Sequence, residues 1–477
     1  MPRPTLPALL ALTLGAAPAL AQMPDGITSF TLPNGLETVV IEDHRAPVVV
    51  QMVWYRNGSA DEPPGKSGIA HYLEHLMFKG TDTLEPGELS KTVTANGGMD
   101  NAFTSSDYTA YFQRIASDRL PLVMEMEADR MANLRIGEDD WQAERQVVLE
   151  ERAQRVDSDP GALFSEERNA TLFYNHPYGR PVIGWRAEME GLTRDDALAW
   201  YDDHYSPNEA ILILAGDVTP ERARELAERY YGPIPAKGEA APRVRPQEPT
   251  QRAPRRMQMT DPRVPQPVMT RSYVAPERDP GDQTDAAALT VLAELLGGSM
   301  QTSVLGRELA MKGKALWVNA GYDGLSVDPT SFAVSLVPAD GIAPDEAEAE
   351  LDKVLAAFLE TGPDQADLDR VKTRIEAARV YTLDSAHGRA YDYGQGLATG
   401  LSVQDVNDWP DILAAVTVED VARAARQVLG GKASVTGWLL PPPAEDPAET
   451  PPPAMPAAAP GGAAPAPTDT PAAEVQG

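Results

Sequence analysis

The chain has 477 residues and a formal net charge of -30. It is long enough for two or three domains, and acidic enough to argue against nucleic acid or an anionic membrane surface as partners. It contains no cysteine, which excludes disulfides, thiolate catalysis and thiolate metal sites, so any metal must be held by histidine and carboxylate.

In chain order, MPRPTLPALLALTLGAAPALAQMPDG places Arg3 before an apolar run that ends in Ala19-Leu20-Ala21, a small-x-small cleavage pattern. The run is too short to span a bilayer. Residues 1–21 therefore read as a signal peptide, and the mature protein as exported, most simply to a bacterial periplasm, with no integral membrane segment after cleavage. Residues 22–234 form a first domain. Its opening, ITSFTLPNGLETVVIEDHRAPVVVQMVWYRNGS, holds two or three strands, the first pair joined at Pro33-Asn34-Gly35. Helices are predicted over 67–79, near 118–132 and over 138–157, and PNEAILILAGDVT (207–219) reads as a buried strand before a helix over 220–231.

Residues 235–257 are proline-rich, charged and without periodicity, and read as a linker. Over 258–440 the order of elements starts again. VPQPVMTRSYVAP (264–276) takes the place that APVVVQMVWYRNG held in the first domain. Helices are predicted over 283–296, 302–312, 344–361 and 364–382, and ASVTGWLLP closes as a strand. The repetition suggests two related α/β halves. From 441 to 477 the chain is rich in proline and alanine, cannot bury a core, and reads as a disordered tail.

The chemistry lies in GIAHYLEHLMFKGT (68–81), which carries two of the six histidines. With Ser67 as the expected N-cap, Ile69, Leu73 and Leu76 share one helix face and His71, Glu74, His75 and Phe78 another. Imidazoles at i and i+4 project side by side, as a bidentate metal clamp requires. Glu74 is near enough to act on a water at that metal without being a ligand. The order is H-x-x-E-H; the plainer alternative is a surface helix with two solvated histidines. A catalytic zinc takes three protein ligands and keeps one position open. In EDDWQAERQVVLEERAQRVD (138–157), Glu144 and Glu151 share a face, while Glu150 points about a third of a turn away. Glu151 is the candidate third ligand and Glu144 its supporting partner, against the alternative of a solvated face laced with Glu–Arg pairs.

HYLEHLMFKGT, NGGMDNAFTSSDYTAYF, ERQVVLEE, HPYGRPVIG and YSPNEAILILAGDVT, in that order, resemble the pitrilysin-like zinc peptidases. These are the inverzincins, the group of insulin-degrading enzyme and mitochondrial processing peptidase. The resemblance covers residues 28 to 440. It implies an α+β fold of two homologous α/β-sandwich halves, each a mostly antiparallel sheet covered by helices, joined by a linker. It implies one zinc per chain on His71, His75 and Glu151, with Glu74 as general base and Glu144 as supporting acid. The substrate would be a peptide or unfolded segment, hydrolysed in a clamshell chamber. DNAFTSSDYTAYF resembles the family's edge strand that pairs with extended substrate, so Asn101, Ala102 and Phe103 would line the cleft; the alternative is an ordinary interior strand. His176 resembles a structural loop residue, and His44, His204 and His387 have no motif around them.

One stretch departs from the family. Its second half contributes an arginine and, seven residues later, a tyrosine that polarise the substrate carbonyl. In GRELAMKGKALWVNAGY those positions fall on Ala310 and Trp317, with Arg307 and Tyr322 out of register. Short members of the family pair two chains, so a dimer is expected, with a related chain supplying the missing pair. Three other readings compete: a non-catalytic or partner-dependent subunit, a non-haem iron enzyme on the same two-histidine, one-carboxylate set, and an interaction protein acting through its polyproline tail.

Overall fold

The computed structural model of the chain describes residues 21–23, 26–238, 242–431 and 433–443. The predicted signal peptide, apart from Ala21, and the predicted tail beyond Pro443 lie outside them. All elements named below belong to one compact unit that ends at Pro441.

The first sheet contains β1 (Ala21–Met23), β2 (Ile27–Thr31), β3 (Glu37–Glu42), β4 (Val48–Tyr55), β5 (Met99–Thr104), β6 (Thr109–Ala116) and β7 (Ala210–Gly216), with runs of Val, Ile and Leu concentrated in β3, β4 and β7. Their order is β1-β2-β3-β7-β4-β6-β5. β7, AILILAG, is buried along its whole length, as expected of a central strand covered on both faces. β5 hydrogen-bonds to β6 alone among the described strands, so its other edge is open. One face carries α1 (Ile69–Leu76), α2 (Glu88–Ala95), α3 (Leu120–Asn133), α4 (Glu138–Arg152), α7 (Arg194–His204) and α8 (Pro220–Tyr230) around a common core. Between α4 and α7 lie α5 (Pro160–Leu172) and the short α6 (Arg186–Met189).

The second sheet contains β8 (Arg255–Thr260), β9 (Val268–Ala275), β10 (Ala315–Tyr322), β11 (Thr330–Pro338) and β12 (Val435–Leu440), in the order β10-β11-β9-β12-β8. Its helices are α9 (Thr284–Gly297), α10 (Pro344–Thr361), α11 (Gln365–Leu383), α12 (Ala386–Ala398), α13 (Val403–Ala415) and α14 (Val418–Leu429). The repeat read from the sequence is explicit in the topology: β3-β7-β4-β6-β5 and β8-β12-β9-β11-β10 follow one plan. In each the first pair is parallel and the rest antiparallel. β9 occupies the place of β4, as predicted, and β10 that of β5.

Three expectations need correction. The predicted helix over 302–312 is shorter: Val304 and Leu305 are α-helical and Gly306–Ala310 form a π turn, and a Cβ at Gly306 would meet the backbone of Ser299 and Met300. The helix over 138–157 ends at Arg152 and continues as a π turn, Ala153–Asp157. The predicted linker is not a free spacer, since β8 starts at Arg255 inside it. RRMQMT alternates exposed and partly buried residues, an edge-strand pattern that its charges disguise. Upstream, Arg245 is buried and donates to Asp61, Asp107 at 2.6 Å and Asp328 at 2.9 Å. Arg243 also donates to Asp61. The segment thus ties the first half to the β10–β11 turn of the second. His176 adds an Nε2 at 3.2 Å from Asp328.

The halves also exchange helices. α12, from the second half, covers the back of the first sheet, where Ala390, Tyr393 and Leu397 join Trp54, Ile213 and Phe112. α5, from the first half, lies on the second sheet, with Phe164 against Leu439, Met257 and Met259. Each crossing closes on a glycine: a Cβ at Gly394 would overlap the Trp54 indole, and one at Gly437 the Phe164 ring. Among the described residues no helix is long and apolar enough to cross a membrane.

Candidate metal centre

The predicted motif helix is α1, and its burial follows the predicted faces: Ile69, Leu73 and Leu76 are buried, along with Ala70 and Tyr72. Ser67 is not its cap. Gly68 holds that position with φ of 93°, and the Ser67 hydroxyl accepts from the Trp185 amide instead. The free amides of Gly68 and Ala70 donate to the buried Glu62 carboxylate at 3.0 and 2.9 Å. Burial pushes Glu62 up to about 8, against the pull of those amides. Tyr72 packs its ring 5.4 Å from that of Trp141 on α4, fixing the spacing between the two helices that carry the acidic and imidazole groups. At the far end of α4, Arg152 is buried and donates to the Gly184 carbonyl at 2.7 Å and to Glu166. Gly184 in turn lies against Gly68 so closely that a Cβ would strike its backbone. The start of α1 and the end of α4 are therefore tied through one loop, the end of the HPYGRPVIG stretch.

These contacts bring His71, His75 and Glu151 together, with one possible ligand atom from each lying within 4.8 Å of the others. His75 Nε2 is 3.2 Å and His71 Nε2 3.7 Å from Glu151 Oε2. Tetrahedral zinc with nitrogen and oxygen ligands at ~2.1 Å would set such atoms ~3.4 Å apart. Glu151 Oε2 is buried and accepts no hydrogen bond from the described residues despite these neighbours, so the donor lone pairs converge on a shared point rather than pairing with one another. Its other oxygen is 2.7 Å from Arg155. The donor set fits a borderline-soft divalent ion such as zinc. Glu150, by contrast, is exposed and accepts from Gln154.

Around this set the electrostatics diverge. Burial, helped by His75 and Arg155, pushes His71 down to about 3, so its imidazole is neutral and has a lone pair to offer. Burial also acts to lower His75, but the Glu144 bond and the nearby Glu74 and Glu151 carboxylates outweigh it and raise its pKa. Glu144 Oε1 lies 3.0 Å from His75 Nδ1, and Glu144 Oε2 2.6 Å from Lys79 Nζ. Burial opposes its ionisation, yet these two partners hold it below the ordinary carboxylate value. Glu74 is raised by burial, partly offset by the Thr104 hydroxyl, which donates to it at 2.5 Å.

Thr104 ends β5, the strand predicted to line the cleft. Its side chains alternate: Ala102 packs on the α1 side, whereas Phe103 turns its ring to the back of the sheet, beside Trp54, Tyr108 and Tyr391. Asn101 is exposed. The residues considered in the second half are engaged elsewhere. Arg307 donates to Asp367 at 2.6 Å and the Tyr322 hydroxyl to the Pro276 carbonyl at 2.7 Å. Ala310 packs on the second core, and Trp317 is 43 % exposed on β10. His44 pairs with Asp217 on the surface, and His204 stacks on Trp200. Sequence reasoning missed Glu62, Lys79, Thr104 and Arg155. Only the two cations, Lys79 and Arg155, carried a signal, each four residues after a candidate ligand.

Fold and site define a class: a duplicated α+β body with a His–His–Glu cluster and an adjoining carboxylate on one half. Residues 37–185 match the model of insulinase (peptidase family M16), and residues 191–375 that of the peptidase M16 inactive domain. The zinc protease PqqE of Helicobacter pylori is 33% identical over 443 residues, covering 91% of this chain and 98% of that protein. An uncharacterized zinc protease of Mycobacterium leprae is 30% identical over 428 residues, covering 87% and 92%. A protease from Helicobacter pylori of known structure aligns with a TM-score of 0.81 at 29% identity, over 89% of this chain and 100% of that one. The first half of the periplasmic protease PqqL from Escherichia coli shares the fold, with a TM-score of 0.74 at 21% identity over 88% and 93%. The chain belongs to peptidase family M16.

Proposed function

We propose that the chain is a zinc-dependent endopeptidase acting on peptides or unfolded segments. The observation that carries this reading is the convergence of His71, His75 and Glu151 beside a Glu74 that is sheltered and aimed from β5 by Thr104. Zinc held by those three residues supplies a Lewis acid that acidifies water and polarises a carbonyl. The open edge of β5 offers backbone groups to an extended substrate, with Asn101, Ala102 and Phe103 lending main chain rather than a shared side-chain wall. Glu74 takes a proton from the attacking water and passes it to the leaving amine. Its raised affinity for protons suits it to hold that proton between the two transfers.

Export to a bacterial periplasm is proposed with it, on the N-terminal sequence. So is a dimer closing a chamber, with a related chain supplying an arginine and a tyrosine. The engagement of Arg307 and Tyr322 within their own half favours this, and equally a second reading in which the chain is a partner-dependent subunit.

Metal content and cleavage of a quenched fluorescent peptide, wild type against Glu74→Gln, test the proposal. The variant should keep zinc and lose about 10²–10⁴-fold in turnover. Zinc-loaded wild type that cleaves nothing, alone and with any co-purifying partner, would end it.

A further inference from the structure

Lys79 lies one turn beyond His75, and its side chain is 22 % exposed. Its ammonium sits 2.6 Å from Glu144 Oε2, while the other oxygen of that carboxylate lies 3.0 Å from His75 Nδ1. We propose that Lys79 is a positioning residue of the metal centre, acting through Glu144 to fix the tautomer and aim of His75. This rests on the zinc reading above.

A carboxylate can only accept. With Oε2 taken by the ammonium, Oε1 is left for the Nδ1–H of His75, so the lone pair of that imidazole stands on Nε2, the atom facing Glu151. Lys79 is the one lysine or arginine paired with Glu144 among the described ion pairs. Remove it, and the carboxylate is free to turn about its last side-chain torsion and leave Nδ1. The two imidazoles are unequal here. Among the described residues His71 Nδ1 is buried with no hydrogen-bond partner, so none of them fixes the tautomer of that ring. The hold on His75 therefore carries the preorganisation of the pair. A competing account makes Lys79 a helix-end cation that stabilises α1 by complementing its dipole; it predicts a loss of stability and no coupling to Glu144.

The two accounts separate in a four-protein comparison: wild type, Lys79→Met, Glu144→Gln and the double variant. Zinc affinity is read by chelator competition, and the imidazole tautomers by nitrogen NMR of the zinc-free chain at alkaline pH, where six histidines keep the spectrum tractable. Lys79→Met should weaken zinc binding about tenfold. It should change the His75 signals alone, and Lys79→Arg should restore both. In the Glu144→Gln background, Lys79→Met should change affinity by less than about twofold, the mark of two residues on one path. Unaltered affinity in Lys79→Met overturns the proposal, and so does a further tenfold loss in the double variant. Signal changes spread over all six rings overturn it too, since they would mark a folding defect. The tautomer readout needs neither metal nor activity, so failure of the peptidase reading remains distinguishable from failure of this one.

Discussion

Gly394→Ala is the substitution for which local and tertiary physics disagree most sharply. In an isolated helix it would stabilise α12 by about 1 kcal/mol, because alanine loses less backbone freedom on folding. In the folded chain the new Cβ would fall within the Trp54 indole, at Cε2, Nε1 and Cζ2. Trp54 is fully buried and cannot retreat, with Phe103, Tyr108 and Tyr391 packed edge-on at 5.0–5.4 Å. A contact this close falls at the upper end of the usual overpacking cost, about 3 kcal/mol; less the helix gain, the net effect is a loss of roughly 2 kcal/mol and a melting temperature lower by about 2 °C. Gly388→Ala in the same helix is the control, since the nearest atoms to its Cβ would be Thr382 Cγ2 at 3.3 Å and Ser385 Cβ and the Thr382 carbonyl at 3.4 Å, none inside 3 Å. Calorimetry on both variants decides the matter. A melting temperature that rises in Gly394→Ala would refute the claim that α12 is pressed onto the first sheet. Because Trp54 also touches Phe103, the variant should raise KM for peptide more than it lowers kcat.

Three further outcomes are expected. Thr104→Val, which removes the hydroxyl that aims Glu74, should lower turnover about tenfold with zinc content unchanged; equal turnover would mean that Glu74 needs no such guide. Chelation should lower the melting temperature reversibly, since saturating zinc adds about 4 kcal/mol at a thousandfold excess over its Kd, and Glu151→Gln should lose this response. For pH, burial opposes ionisation of Asp328, yet His176 and Arg245 hold it at about 2, below its ordinary 3.8. A depressed acid contributes stability that is complete above its unfolded value, so that share should vanish as pH falls from 3.8 through about 2. The stability gap between wild type and Asp328→Asn should close over that window.

The donor set was legible because helix geometry converts a four-residue spacing into adjacency: His71 and His75 needed no tertiary knowledge to be paired. The preference for Glu151 over Glu150 came with the family resemblance, whose ligand glutamate stands seven residues after its supporting acid. Helices over 344–361 and near 365–383 were visible from periodicity alone. What stayed hidden depends on contacts between segments far apart in the chain. Glu62 caps α1 in place of Ser67, and the arginines of the supposed linker find three aspartates drawn from both halves. Phe103 turns from the cleft because Tyr391, nearly three hundred residues later by simple subtraction of its number, completes its pocket. The strand β10, ALWVNAGY, mixes buried and exposed residues without regular alternation and so gave only a weak strand signal.

The exchange of α5 and α12 bears on how this chain can be made and divided. Every residue of the metal cluster lies before Gly216, which invites the idea that the first half could be cut out as a minimal enzyme. Such a fragment would leave Ile211, Ile213, Met52 and Trp54 facing water, because their cover begins only at Ala386. During synthesis that face waits, uncovered, for most of the second half to be made. A fragment ending in the linker should therefore be an aggregating intermediate and not a small peptidase. The two sheets share one plan, and the crossed helices make them inseparable.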